Sequence, residues 1–189
     1  FGTLLVINIA IGVVTGIDQE FEFGMNWSQY SRFVGDVFGA PLAMEGLAAF
    51  FLESTFLGLW LFGWDLLPRR VHLACIWALA IGTALSAGFI MAANSWMQHP
   101  VGYELDATTG RPVLTSIWAL FTNPVFVWGY AHVLLASLLT GGMLMLAVSA
   151  WHLRHGSSPD AFVRTAKLSL VVLLPTSVLV LMVGSHLGV

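Results

Sequence analysis

Five apolar stretches, at about residues 1–17, 38–64, 71–96, 124–153 and 162–187, leave this chain very few ways to fold. Each approaches or exceeds the roughly 20 residues that a helix needs to cross the ~30 Å hydrocarbon core of a bilayer. Only structures that satisfy their own backbone hydrogen bonds survive there, and a helix does so within one segment. The pattern predicts an all-α, polytopic transmembrane helix bundle with about four full spans plus a truncated first one. It forms a single transmembrane domain over residues 1–189. Charged residues are 9% of the chain, against about 25% in soluble domains. The net charge of −3 gives no basis for nucleic-acid binding, and the expected surroundings are membrane lipid. The chain opens at Phe1 inside one apolar run and stops at Val189 just after another. It reads as an internal fragment of a longer membrane subunit. The single Cys75 excludes a disulfide framework and a thiolate metal cluster.

The segments between the spans carry the polar residues. Residues 18–37 hold Asp18, Glu20 and Glu22 with the aromatics Phe21, Phe23, Trp27, Tyr30 and Phe33, and read as an external interfacial segment. Residues 98–123 contain Gly-Tyr-Glu-Leu-Asp and Thr-Thr-Gly-Arg-Pro, turn-rich sequences suited to an external hairpin or loop. Five of the seven Lys and Arg residues (Arg69, Arg70, Arg154, Arg164 and Lys167) fall in two short loops on one side. By the positive-inside rule the Arg69/Arg70 loop and the Arg154–Lys167 loop are cytoplasmic. The side carrying Asp18, Glu20, Glu22, Asp36, Glu104 and Asp106 is external.

Two carboxylates break the second apolar stretch, Glu45 and Glu53. A charged side chain at that depth costs about 2.5–3.5 kcal/mol on insertion scales, so each needs a reason to be there. Glu45 lies about two turns in from the external end, and Glu53 is ~12 Å deeper at 1.5 Å per residue. Their spacing places them on roughly one face, which suits a proton stepping towards a buried reaction centre. The bland reading is a salt bridge, but no Lys or Arg of this chain lies at their depth. His132, in Trp128-Gly-Tyr-Ala-His132, sits at about the depth of Glu45 in the fourth stretch. A lone His in an apolar helix is either a hydrogen-bonded structural residue or a ligand. Gly129, Ala131 and Ala136 clear space beside it, as a flat macrocycle requires, and imidazole is a common axial ligand of heme iron. His72, Asp65, His99, His152 and His155 lie at helix ends and read as solvated, while His186 has no evident role.

Gly12-Val-Val-Thr-Gly16, Phe21-Glu-Phe-Gly-Met-Asn-Trp-Ser28 and Val34-Gly-Asp-Val-Phe-Gly-Ala-Pro-Leu-Ala-Met-Glu45-Gly strongly resemble subunit I of the cytochrome bd-type quinol oxidases. So do Phe50-Phe-Leu-Glu53-Ser-Thr-Phe56, Phe62-Gly-Trp-Asp65 and Asn94-Ser-Trp-Met-Gln98, and Met97-Gln-His-Pro-Val-Gly102 is closer to the cyanide-insensitive branch. The resemblance implies a terminal oxidase that takes electrons from quinol and reduces O2 to water in the bacterial cytoplasmic (inner) membrane. It implies a low-spin heme b, a high-spin heme b, and a heme d or second high-spin heme b. By position, Glu45 matches a carboxylate ligand of a high-spin heme. Glu53 matches the carboxylate that feeds protons there, with Ser54 and Ser86 as relay hydroxyls. His132 matches an axial ligand of the low-spin heme b. The implied partners are subunit II and a small accessory subunit. The family's other heme ligands fall outside this chain. Gly184-Ser-His186 departs from the family's usual Gly-Asp pair where its quinol-binding loop begins.

Two other readings compete. A proton- or cation-coupled transporter would use Glu45 and Glu53 as ion-binding carboxylates, and should show broken helices or repeat symmetry around them. A heme-free structural subunit would leave Glu45, Glu53 and His132 without a shared purpose.

Overall fold

The computed structural model describes residues 1–156 and 158–187. Residue 157, in the second basic loop, and residues 188–189 of the expected domain lie outside the described residues. Five helices are long and apolar enough to cross a membrane, and the chain divides into two compact units.

The first unit comprises Phe1–Phe33 and Ala131–Val189. Helix α1 (Gly2–Gly24) buries none of its side chains. It does not stop at residue 17, because Asp18, Glu20 and Glu22 are tolerated on an exposed helical surface. The break comes after Gly24, at the turn formed by residues 25–27. Nor is residue 18–37 a separate element, since Ser28 already begins the helix that carries Glu45. Helices α6 (Pro124–Arg154) and α7 (Pro159–Leu187) run antiparallel in this unit, with residues 142 and 173 and residues 132 and 184 meeting. Small residues let them approach. A Cβ on Gly142 would lie 3.0 Å from Leu173 Cδ2. Ser149 and Ser169 are buried and satisfy their hydroxyls on the carbonyls of Met145 and Thr165, one turn back. Near the turn the His152 ring stacks on Phe162, centroids 4.1 Å apart, and Gly156 takes a φ of +70° that only glycine adopts without strain.

The second unit is Val34–Tyr130. Helix α2 (Ser28–Met44) passes through a π-helical turn at Glu45–Ala49 into α3 (Phe50–Phe62). Helix α4 (Arg69–Gln98) packs along them. The core is apolar and includes Val34, Val37, Phe38, Ala49, Leu79, Ala92 and Trp96. Trp96 meets Phe38 and Tyr103 edge-on, with centroids 6.0 and 5.4 Å away.

The link after α4 forms the expected hairpin, β1 (Tyr103–Leu105) pairing antiparallel with β2 (Pro112–Leu114), followed by the short α5 (Ile117–Phe121). Asp106 closes the hairpin tip by accepting from the Thr108 and Thr109 amides and the Thr108 hydroxyl. The buried Asn123 ties the ends of this link together. Its Nδ2 donates to the carbonyls of Ser95 and His99 at 3.3 and 2.9 Å, and its Oδ1 accepts from the Val125 amide at 3.0 Å, capping α6.

Candidate functional site

Glu45 opens the π-turn, in which the Phe50 amide donates to the Glu45 carbonyl, five residues back. The local sequence favours this loosening. Pro41 has already removed one rung from the hydrogen-bond ladder, and Gly46 has no side chain to stiffen the next turn. The turn has a consequence for alignment. In an unbroken α-helix, residues eight apart are two turns and about 80° out of line. One residue absorbed by the π-turn takes back about 100°, which brings Glu45 and Glu53 within about 20° of one face.

Both carboxylates meet the same stripe of α4, at Gly82, Thr83 and Ser86. Ser86 Oγ donates to Glu45 Oε1 at 2.6 Å. Gly82 is the opening for Glu53, since a Cβ there would lie 2.7 Å from Leu52 Cδ2 and 3.0 Å from Glu53 Cγ. Thr83 stands beside the Glu53 carboxylate, with its own hydroxyl donating to the Leu79 carbonyl at 3.1 Å. Even so, Glu53 Oε1 is buried with no hydrogen-bond partner among the described residues. An unmet acceptor of this kind is costly, and it marks a place where a proton or a water would be held.

Of the residues singled out in the sequence, Glu45, Glu53 and Ser86 therefore come together. Ser54 does not join them. Its Oγ donates to the Phe51 carbonyl at 3.2 Å on the exposed side of α3, one residue and so about 100° away from Glu53. Sequence reasoning passed over Gly82 and Thr83. Their signal is the run of small and polar residues at 82, 83 and 86, which share a face of an apolar helix.

His132 belongs to the other unit and is described there. Its Nδ1 is buried with no hydrogen-bond partner among the described residues. The ring lies against Gly184 of α7, where a Cβ would sit 3.0 Å from His132 Cε1 and 3.2 Å from Nδ1. His152 shares this trait: its Nδ1 is likewise buried without a hydrogen-bond partner among the described residues, under the stacked Phe162 ring and not solvated as expected, whereas two other histidines are met by backbone. His72 Nε2 donates to the Trp60 carbonyl at 2.8 Å and His155 Nδ1 to that of Trp151 at 2.7 Å. Among the described residues no three His, Cys, Asp or Glu side chains converge as a metal site would require. Glu45 and His132 are thus lone donors, the supply that suits an iron held by a macrocycle and needing only axial ligands. With Nδ1 turned to the Gly184 backbone and unbonded among the described residues, Nε2 is the nitrogen of His132 that would meet such a group.

Five apolar helices among the described residues, with carboxylates and an imidazole set inside them, define a multi-pass membrane protein. The chain belongs to the family described as cytochrome bd terminal oxidase subunit I, which it matches over residues 1–189. It is 50% identical over 172 residues to cytochrome bd ubiquinol oxidase subunit 1 of Bacillus subtilis, covering 91% of this chain and 36% of that protein. With cytochrome bd-II ubiquinol oxidase subunit 1 of Escherichia coli it shares 49% identity over 165 residues, 87% of this chain and 32% of the relative. The chain thus spans about a third of the length of these curated relatives. The solved structure of bd oxidase from Geobacillus thermodenitrificans superposes with a TM-score of 0.87 at 33% identity, over 97% of this chain and 42% of that one. Membership of this family implies heme cofactors.

Proposed function

We propose that this chain supplies the oxygen-reducing core of a heme-bearing respiratory oxidase subunit that oxidises quinol and reduces O2 to water. The observation that carries the reading is the Ser86–Glu45 hydrogen bond at 2.6 Å on the α4 stripe that also receives Glu53, inside a chain of this family. Heme, when bound, supplies the electron path from quinol and the iron at which O2 is reduced. Glu45 would be the carboxylate ligand of a high-spin heme b, and His132 an axial ligand of the low-spin heme b. A heme d, or a second high-spin heme b, would complete the oxygen site.

The remaining work falls to this chain's own side chains. Glu53 takes up a proton at the oxygen that has no fixed partner. It passes the proton towards Glu45, with Thr83 beside the donor and the Ser86 hydroxyl held on the acceptor. Ser86 keeps the Glu45 carboxylate pointed at α4 in either protonation state, because a hydroxyl both donates and accepts. The basic loops, Arg69/Arg70 and Arg154–Lys167, face the cytoplasm of a bacterial inner membrane by the positive-inside rule. Protons drawn from that side, with quinol protons released on the other, would generate the gradient. Subunit II, a small accessory subunit, quinol and O2 are the expected partners. The π-turn at Glu45 changes register within one continuous helical segment, which is not the discontinuous helix that the transporter reading calls for.

The test is a dithionite-reduced minus oxidised absorbance spectrum of membranes carrying the full-length subunit with its partner. Wild type should show heme b bands with a red-shifted chlorin band if heme d is present. Glu45→Gln should remove or alter the high-spin signals and leave the low-spin band. His132→Ala should abolish the low-spin band. An unchanged spectrum in either variant overturns that residue's role as a ligand.

A further inference from the structure

We infer that Gly184 is a positioning residue for His132, setting the plane and the hydrogen bonding of the imidazole from the backbone of α7. The inference rests on the reading of His132 as an axial ligand of the low-spin heme. An imidazole ligand is ordinarily oriented by a partner on its second nitrogen, commonly a carboxylate or a carbonyl, which also raises its basicity. His132 departs from this. Its Nδ1 is buried with no hydrogen-bond partner among the described residues, and the surface against that edge of the ring is Gly184.

A Cβ at position 184 would come within 3.0 Å of Cε1 and 3.2 Å of Nδ1, closer than such atoms normally pack. The atoms met are those of the imidazole itself, so an added Cβ is accommodated by a shift of the ring or of the α7 backbone by a few tenths of an ångström. Gly142, on the same pair of helices, meets Leu173 at a similar distance, but there the neighbour is a mobile aliphatic tip. Position 184 therefore acts on the ring in two ways. Its lack of a Cβ fixes how far the ring can turn, and its lack of a side-chain acceptor leaves Nδ1 unassisted. A ligand without that assistance donates more weakly to iron, which favours the reduced state.

The experiment uses the full-length subunit assembled with its partner, and reads the low-spin heme band position and midpoint potential. Gly184→Ala is expected to shift both, while Gly141→Ala, where a Cβ meets nothing within 4 Å, leaves them unchanged. Gly184→Ser adds the same Cβ and an acceptor for an Nδ1 proton, and should move the potential below that of Gly184→Ala. A Gly184→Ala enzyme with wild-type band and potential overturns the inference. If Gly184→Ala fails to accumulate, the double variant with His132→Ala should recover folded subunit and high-spin heme. Failure of the double variant where His132→Ala alone accumulates also overturns it, since the clash is then with something other than the ring. Retention of the low-spin band in His132→Ala defeats the ligand reading instead, so the two failures are distinct.

Discussion

On α4 the embedded Glu45 accepts a 2.6 Å bond from Ser86, and Glu53 lies beside Thr83 in a notch left by Gly82 with one oxygen unpartnered among the described residues. In the α6–α7 pair the embedded His132 has a buried Nδ1 with no hydrogen-bond partner among the described residues and a glycine backbone close against its ring. On the proposed reading, the difference follows from what each group does. A carboxylate that loads and unloads a proton needs neighbours able to donate in one state and accept in the other, which hydroxyls provide. On that reading, the imidazole meets iron through Nε2, and its Nδ1 edge is left against a glycine backbone that offers it no side-chain partner. The carboxylates thus have hydroxyl-bearing residues on the facing helix, and the imidazole has a glycine.

That contrast breaks most readily at Glu53. Glu53→Gln keeps the size of the side chain and removes its ability to carry a proton, and should lower turnover about 10²-fold or more with the heme spectrum intact. Full turnover in that variant would mean that the acidic side of the comparison is structural. A smaller effect is expected at Gly82. The Cβ of Gly82→Ala must displace Leu52 and Glu53, at a cost of about 1–3 kcal/mol, read as a lower temperature of heme loss in detergent. Gly58→Ala, where a Cβ meets nothing within 4 Å, is the matched control and should show no loss; equal behaviour of the two would show that the notch is not tight. The smallest effect is at a third acid, outside the spans. The Thr108 hydroxyl and the amides of Thr109 and Thr108 lower the Asp106 pKa from 3.8 to about 2. Because the folded value is the lower one, this stabilisation is complete above about pH 4 and is lost as the pH falls through about 2. Protection of the Thr108 and Thr109 amides, relative to their intrinsic exchange rates, should fall in that window and hold steady at higher pH.

The helical class and the candidate carboxylates and imidazole were legible because apolar length and embedded charge are one-dimensional signals. Helix ends were less so. Asp18, Glu20 and Glu22 look like the close of a membrane segment, yet charge on an exposed helical face does not end a helix, and α1 continues to Gly24. The π-turn was invisible, since Glu45–Ala49 has no composition that forces an extra residue into the turn; Pro41 and Gly46 only permit it. Ser54 seemed a natural relay beside Glu53, but adjacent residues on a helix point about 100° apart. Gly82, Thr83 and Gly184 matter only through what a second helix brings against them, and pairing of that kind is not written in local pattern.

Asn123 has one more consequence. The chain leaves α4 and re-enters α6 at the same amide group, so the whole excursion between them is closed at its neck by one side chain. A segment clasped in this way is modular. Its exposed tip at Thr108–Gly110 offers a port where foreign sequence can be spliced, each doubling of length adding only about 0.6 kcal/mol of closure entropy, while the helices below keep their register.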